Sequence, residues 1–261
     1  MTLVALDVAN RDTTIGLFVR GELEAHFSIT TSERRTSDEW FLVLDGIVER
    51  SGLPDVSEVA MCCTVPSIAA VLRQTFDRYY ADAPVWNVGP GVKTGVPIHA
   101  DNPKEVGADR VVNALAAKEL HGGPAIVVGL NGTATVFDVI DERGRYLGGA
   151  IAPGLELSLD ALRRRSAQLR SVELTEPRSP IGKNTVEALQ SGSLYGFAGL
   201  VDGIVGRLLD ALDDQGIDSD GVTVVATGSH ADEIVDLCET VTARDPHLTL
   251  RGLKLVADKN R

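Results

Sequence analysis

One supersecondary pattern occurs twice in this chain, and the repetition restricts its fold more than any other feature. Residues 3–19, "LVALDVANRDTTIGLFV", read as a strand, a short polar turn and a second strand, and "GELEAHFSITT" supplies a third strand after Gly21. Residues 125–141, "AIVVGLNGTATVFDVID", have the same shape, with "GRYLGGAIAPG" as the third strand. A helical pattern follows each trio. The first covers Ser37–Ser51, with Trp40, Phe41, Val43, Leu44, Ile47 and Val48 apolar, and the second covers residues 155–169. Each half then continues into a strand–helix unit. In "VSEVAMCCTVPSIAAVLRQTF" the helix opens near Pro66 or Ser67, and in "GVTVVATGSHADEIVDLC" it follows a Thr-Gly-Ser turn.

Alternating strands and helices define an α/β chain. A duplicated three-strand meander followed by helices points further, to two similar domains, each with a mixed sheet flanked by helices, facing each other across a cleft. That is the actin-like, sugar-kinase-type ATPase fold. The boundary is expected in or just after "ADRVVNALAAKEL", giving an N-terminal domain at residues 1–117 and a C-terminal domain at 118–261. A long helix is expected at residues 191–213, with glycines at 192, 196, 199, 203 and 206. Small residues at that spacing form a smooth face, which suits either an internal helix contact or a subunit interface.

Charge and apolar runs exclude several partners. The net charge of −12 argues against nucleic acid and anionic membrane. Apolar runs such as residues 125–128 are too short to span a bilayer. "MTLVALDVAN" lacks a basic segment and a cleavage site, so no export signal is expected. Cys62, Cys63 and Cys238 form neither a disulfide framework nor a zinc knuckle, which fits small core residues in a reducing cytoplasm. The histidines at 26, 99, 121, 230 and 247 have no metal-ligand spacing.

Several residues can carry chemistry. Asp7 ends the first apolar strand, where a carboxylate either holds a Mg²⁺–water complex or caps its own turn. In the second hairpin, Gly132 lets a phosphate approach the backbone, and the Thr133 and Thr135 hydroxyls can donate to it. In "DNPKEVGADRVVNALAAKEL", Gly107 and Ala108 allow a tight helix start. Asp109 in the first turn can take a proton from a substrate hydroxyl or complement the helix dipole, and Arg110 can pair with a carboxylate or phosphate. "IGKNTVEALQSG" puts Lys183, Asn184 and Thr185 at a helix start, as an anion site or as simple N-capping. "ATGSHADEI" has a small turn with room for the flat ring of an adenosine.

The segments "LDVANRDTTIGL", "DNPKEVGADRVVNALAA", "GTATVFDV", "YLGGAIAPGLELSLDAL" and "SPIGKNTVEALQSGSLYGFAGLVDGIV" are collinear over nearly the whole chain. In them the chain resembles the type III pantothenate kinases, bacterial enzymes that phosphorylate pantothenate with ATP at the first step toward coenzyme A. The resemblance implies a homodimer formed by the second domain and a requirement for ATP, Mg²⁺ and a monovalent cation, K⁺ or NH₄⁺. It gives Asp109 the role of base and places Gly107 and Arg110 against pantothenate. Asp7, Asn10 and Thr13 would face the phosphates and metal, Gly132, Thr133 and Thr135 would form the second phosphate loop, and Thr185 would reach substrate across the dimer. The chain also departs from the family. Ala9 and Arg11 replace a glycine and a threonine of the first loop, and the acid of the second loop is missing at Gly129 or Leu130, depending on where the count starts. The changed loops predict lowered activity. The alternatives are a paralogue using another donor or acceptor, or a non-catalytic binding or regulatory protein.

Overall fold

The computed structural model describes residues 1–165 and 172–261. Its contacts divide the chain into two units. The first holds Met1–Val96, Asn102–Ala116 and Leu248–Arg261, and the second holds Pro97–Asp101 and Ala117–His247.

The first unit begins with β1 (Thr2–Val8), β2 (Asp12–Val19), β3 (Glu22–Thr30), α1 (Ser37–Ser51), β4 (Val56–Cys63), α2 (Pro66–Tyr79) and β5 (Val85–Asn87), and takes in the first part of α3 (Ala108–His121). The strands lie in the order β3-β2-β1-β4-β5. The β1–β2 and β2–β3 pairs are antiparallel, while β1, β4 and β5 run parallel. Side chains alternate between the faces of this sheet. Val4, Leu6 and Val8 pack with Trp40, Leu44, Ile68, Leu72 and Phe76 from α1 and α2. Leu3 and Ala5 join Cys62, Val112, Leu115, Leu250 and Leu253 on the opposite face. Helix α1 starts where the sequence pattern puts it, because Thr36 and Glu39 close a capping box, worth about 1 kcal/mol. Pro66 opens α2 as expected.

The second unit repeats the plan with β6 (Ala125–Leu130), β7 (Ala134–Ile140), β8 (Tyr146–Pro153), α4 (Leu155–Arg165), α5 (Thr185–Asp214), β9 (Thr223–Thr227), α6 (Ala231–Ile234) and β10 (Ala243–Arg244). The order β10-β9-β6-β7-β8 is that of the first sheet, strand for strand. Ile126, Val128 and Leu130 face a core with Phe137, Leu155, Ala198, Val201, Val205 and Ile234. The expected extension of α4 to residue 169 falls partly outside the described residues. The long helix starts at Thr185 rather than at 191, because Asn184 caps it by accepting from Glu187 N–H at 2.9 Å. The helix after the Thr-Gly-Ser turn is one turn long.

The last helix, α7 (Leu248–Asn260), belongs to the first unit. It lies close against α3: a methyl on Gly252 would come within 2.5 Å of the Val112 carbonyl oxygen and 3.2 Å of Ala116 Cβ. No helix among the described residues is long and apolar enough to cross a membrane.

Candidate functional site

The alternation of β1 decides where Asp7 goes. Val8 points into the core under α1 and α2, so Asp7 shares the other face with Leu3 and Ala5. Its neighbour across the parallel pair is Cys62 of β4, whose thiol donates to Asp7 Oδ1 at 3.3 Å. Helix α3 covers that face, and its first turn brings Asp109 into electrostatic contact with Asp7. Burial first, and then the Asp109 charge, push Asp7 up from 3.8 to about 7, with the Cys62 hydrogen bond opposing. Burial and the two nearby carboxylates push the Cys62 thiol well up, which keeps it a proton donor. Gly107 accepts the Val111 N–H at the helix start, and the Asp109 carboxylate folds into the space a Gly107 side chain would occupy. The cysteine was legible only as a core residue; its place beside Asp7 follows from the β1–β4 register.

In the second unit the hairpin turn between β6 and β7 closes as the first one does. Asn131 N–H donates to Ala134 O at 3.2 Å, as Ala9 N–H donates to Asp12 O at 3.1 Å. Asp7 pairs with Thr14 and Cys62, and Gly129 pairs with Val136 and Thr227. The repeat therefore makes Gly129 the counterpart of Asp7. Leu130 matches Val8 and faces the core, where a carboxylate would be stranded. The turn is braced from behind: Gly154 N–H donates to Thr133 O at 2.9 Å and Leu157 N–H to Gly132 O at 3.0 Å. Gly228, at φ +104, lies under the loop, where a methyl would come within 2.5 Å of Leu130 O. A methyl on Gly154 would meet Asn131 O and Gly132 O, each at 2.5 Å, and Ala134 N at 2.6 Å. All three are backbone atoms and cannot swing aside. Gly154→Ala is therefore expected to destabilise the protein by about 1–3 kcal/mol, read as a lowered Tm in thermal melts.

Comparison with known proteins decides the family. The sequence profile of the type III pantothenate kinases matches residues 3–207. A type III pantothenate kinase of Thermobifida fusca is 54% identical over 99% of both chains, and one of Streptomyces coelicolor is 50% identical over 99% of this chain and 98% of its own. The chain belongs to the type III pantothenate kinase family. More distant solved structures share its fold. A ROK hexokinase from Thermus thermophilus is 15% identical with a TM-score of 0.53, both chains fully covered. A ROK family glucokinase from Streptomyces griseus is 12% identical with a TM-score of 0.52, covering 99% of this chain and all of its own. Two mixed sheets flanked by helices, in the actin-like, sugar-kinase-type arrangement, are thus this family member's fold.

Against the family's motifs, the expected residues divide into groups. Asp7 and Asp109 come together in the first unit, with Gly107 and half-buried Arg110 at the same helix start. Asn10 is exposed in the first turn, beside Arg11, which lies 3.9 Å from Asp12. Gly132 and exposed Thr133 form the second turn. Thr13 and Thr135 are different. They occupy matching positions at the starts of β2 and β7, and both are buried. Thr13 Oγ1 pairs with Thr31 Oγ1 at 2.8 Å, and Thr135 Oγ1 donates to Pro153 O at 3.4 Å. In this structure both hydroxyls bond within their own sheets. Thr185 is exposed in the first turn of α5, where Asn184 carries the cap. Among the described residues no three His, Cys, Asp or Glu side chains gather as a metal nest.

Proposed function

We propose that this chain is an ATP-dependent kinase of the cytoplasm that phosphorylates pantothenate to 4′-phosphopantothenate, the first step of coenzyme A biosynthesis. The observation that carries the reading is the Asp7–Asp109 pair, placed by β1 and α3 in a chain about half identical to named type III pantothenate kinases. Asp109 takes the proton of the pantothenate hydroxyl as its oxygen attacks the γ-phosphorus; the bond to the β-phosphate oxygen breaks and ADP leaves. Gly107 keeps room for the Asp109 carboxylate, and Arg110 holds the pantothenate carboxylate. Asn10 and the backbone of the first turn would meet phosphate oxygens, as would Gly132 and Thr133 of the second turn.

The first unit fits a divalent cation. Asp7 and Asp109 are two hard oxygen donors in electrostatic contact, and after burial the Asp109 charge opposes ionisation of Asp7, a repulsion that a divalent cation would relieve. Asp7 would hold Mg²⁺ through water, and the ion when bound neutralises charge on the β- and γ-phosphates. The second loop does not fit the monovalent cation that the resemblance implies, since Gly129 and Leu130 offer no carboxylate. A coupled assay with pantothenate, Mg-ATP and potassium tests the reading: ADP release that depends on pantothenate supports it, and no turnover over the background removes it.

The working form is a homodimer built on α5. Methyl groups on Gly192, Gly196, Gly199 and Gly206 would meet nothing within 4 Å among the described residues, so this strip serves no internal helix contact. Apolar Val186 and Ile181 are exposed near the start of the same helix, and Thr185 sits beside them to reach a partner's substrate. A Cβ on Gly196 meets nothing within 4 Å among the described residues, and Gly196→Leu is expected to convert dimer to monomer in light scattering, with the helical circular dichroism unchanged.

A further inference from the structure

We propose that Cys62 is a positioning residue for phosphoryl transfer: its thiol pins one oxygen of the Asp7 carboxylate and so fixes how Asp7 meets the metal and phosphates of the nucleotide. The inference rests on the kinase reading. It starts from the register of two parallel strands. Asp7 of β1 pairs with Cys62 of β4, and the thiol donates to Asp7 Oδ1 at 3.3 Å. Among the described residues it is the one hydrogen-bond donor to the Asp7 side chain. The terminal torsion of an aspartate is broad, so a half-buried carboxylate swings unless something holds it. A donor on Oδ1 removes that freedom before the ligand arrives and leaves Oδ2 to receive it, which lowers the cost of ordering on binding.

Cys62 is itself held firmly. It is fully buried, and it packs with Val112 and Leu115 of α3, the helix whose first turn carries Asp109. One side chain therefore lies against both elements that bring the two carboxylates together. The Asp109 charge is felt by Asp7 and by Cys62 alike. A thiol in that place donates a hydrogen bond without adding charge to a pair that already repels. Cys63, the next residue on the strand, turns to the opposite face, where its thiol donates to Val65 O at 3.2 Å. The two cysteines thus have the same chemistry and the same strand, and only one of them reaches a carboxylate.

The test is calorimetric titration of the full chain with a non-hydrolysable Mg-ATP analogue. Cys62→Ala should weaken the Kd by about tenfold, and Cys62→Ser, which keeps a donor at the same position, should stay within about threefold of the parent. Cys63→Ala controls for loss of a sulfur from β4 and should bind as the parent does. The KM for pantothenate should change by less than about twofold in Cys62→Ala, whereas a displaced α3 would carry Asp109 and Arg110 with it and raise that KM. Should the alanine variant fail to fold, Cys62→Val fills the site without a donor and is expected to show the same loss. A donor-less variant that binds like the parent overturns the inference and leaves the kinase reading standing. So does a serine variant as weak as the alanine one, or a pantothenate KM that rises in step with the nucleotide Kd. No binding of the analogue by the unsubstituted protein overturns both.

Discussion

Asp109→Asn is expected to lower kcat for pantothenate phosphorylation by about 10²- to 10⁴-fold, with a much smaller change in KM for pantothenate. The substitution keeps the shape of the first turn of α3 and the space over Gly107, so Arg110 and the helix start remain to bind substrate. On the proposed mechanism it removes the group that takes the hydroxyl proton during attack. A structural role for Asp109 would give a different result, in which both parameters or the Tm change and kcat alone does not. The same variant has a second readout at Asp7. The Asp109 charge is the second-largest cause of the raised Asp7 value, after burial. Carboxyl NMR titration of the Asp109→Asn variant should therefore find Asp7 below about 7 but still above 3.8. An Asp7 titration that does not move would show that the two carboxylates are not electrostatic neighbours.

Asp7→Asn should abolish Mg-nucleotide binding and, in the ligand-free protein, raise stability at alkaline pH. The sign follows from the direction of the shift. Asp7 titrates near 3.8 unfolded and at about 7 folded, so its proton favours the folded state. That contribution is complete below pH 3.8, falls as the pH rises, and is gone above pH 7. Asparagine avoids the cost of a half-buried charge beside Asp109. The variant should exceed the parent by an amount on the order of 1–3 kcal/mol at pH 8, with the gap closing as the pH falls toward 5. Melting curves at the two pH values measure it, and a gap that widens on acidification would refute the electrostatic account. The stability gained by removing a functional carboxylate is the expected signature of a site strained for binding.

Much of this was legible in the chain itself. The two hairpins, the start of α1 at Ser37 and of α2 at Pro66, and the first turn holding Asp109 all depend on signals within a few residues: period-two apolar alternation, a capping box, a proline at the first helical position. The duplication was legible because it is the same local pattern written twice, and its repeated strand order bears it out. Family membership was carried by motifs in sequence order.

Other features depended on which strands pair and in what register, which no local window contains. The ladder between β1 and β4 puts Cys62 beside Asp7, and the matching ladders of the second sheet make Gly129, not Leu130, the counterpart of Asp7. The register also buries Thr13 and Thr135 at matching positions of the two sheets. Helix α7 returns to the first unit across the whole length of the second because Gly252 lets it close on Val112, a contact 140 positions apart in sequence. Glu156 and His230, 74 positions apart, meet at Gly132 only once α4 and α6 are docked on the same sheet. The amino-acid order by itself determined the elements, their duplication and the chemical groups available, because hydrogen bonding and alternation act over a few residues. Which groups became neighbours, and so which carboxylate is strained, was decided by the packing of distant segments, because burial and Coulomb interactions depend on distance in space.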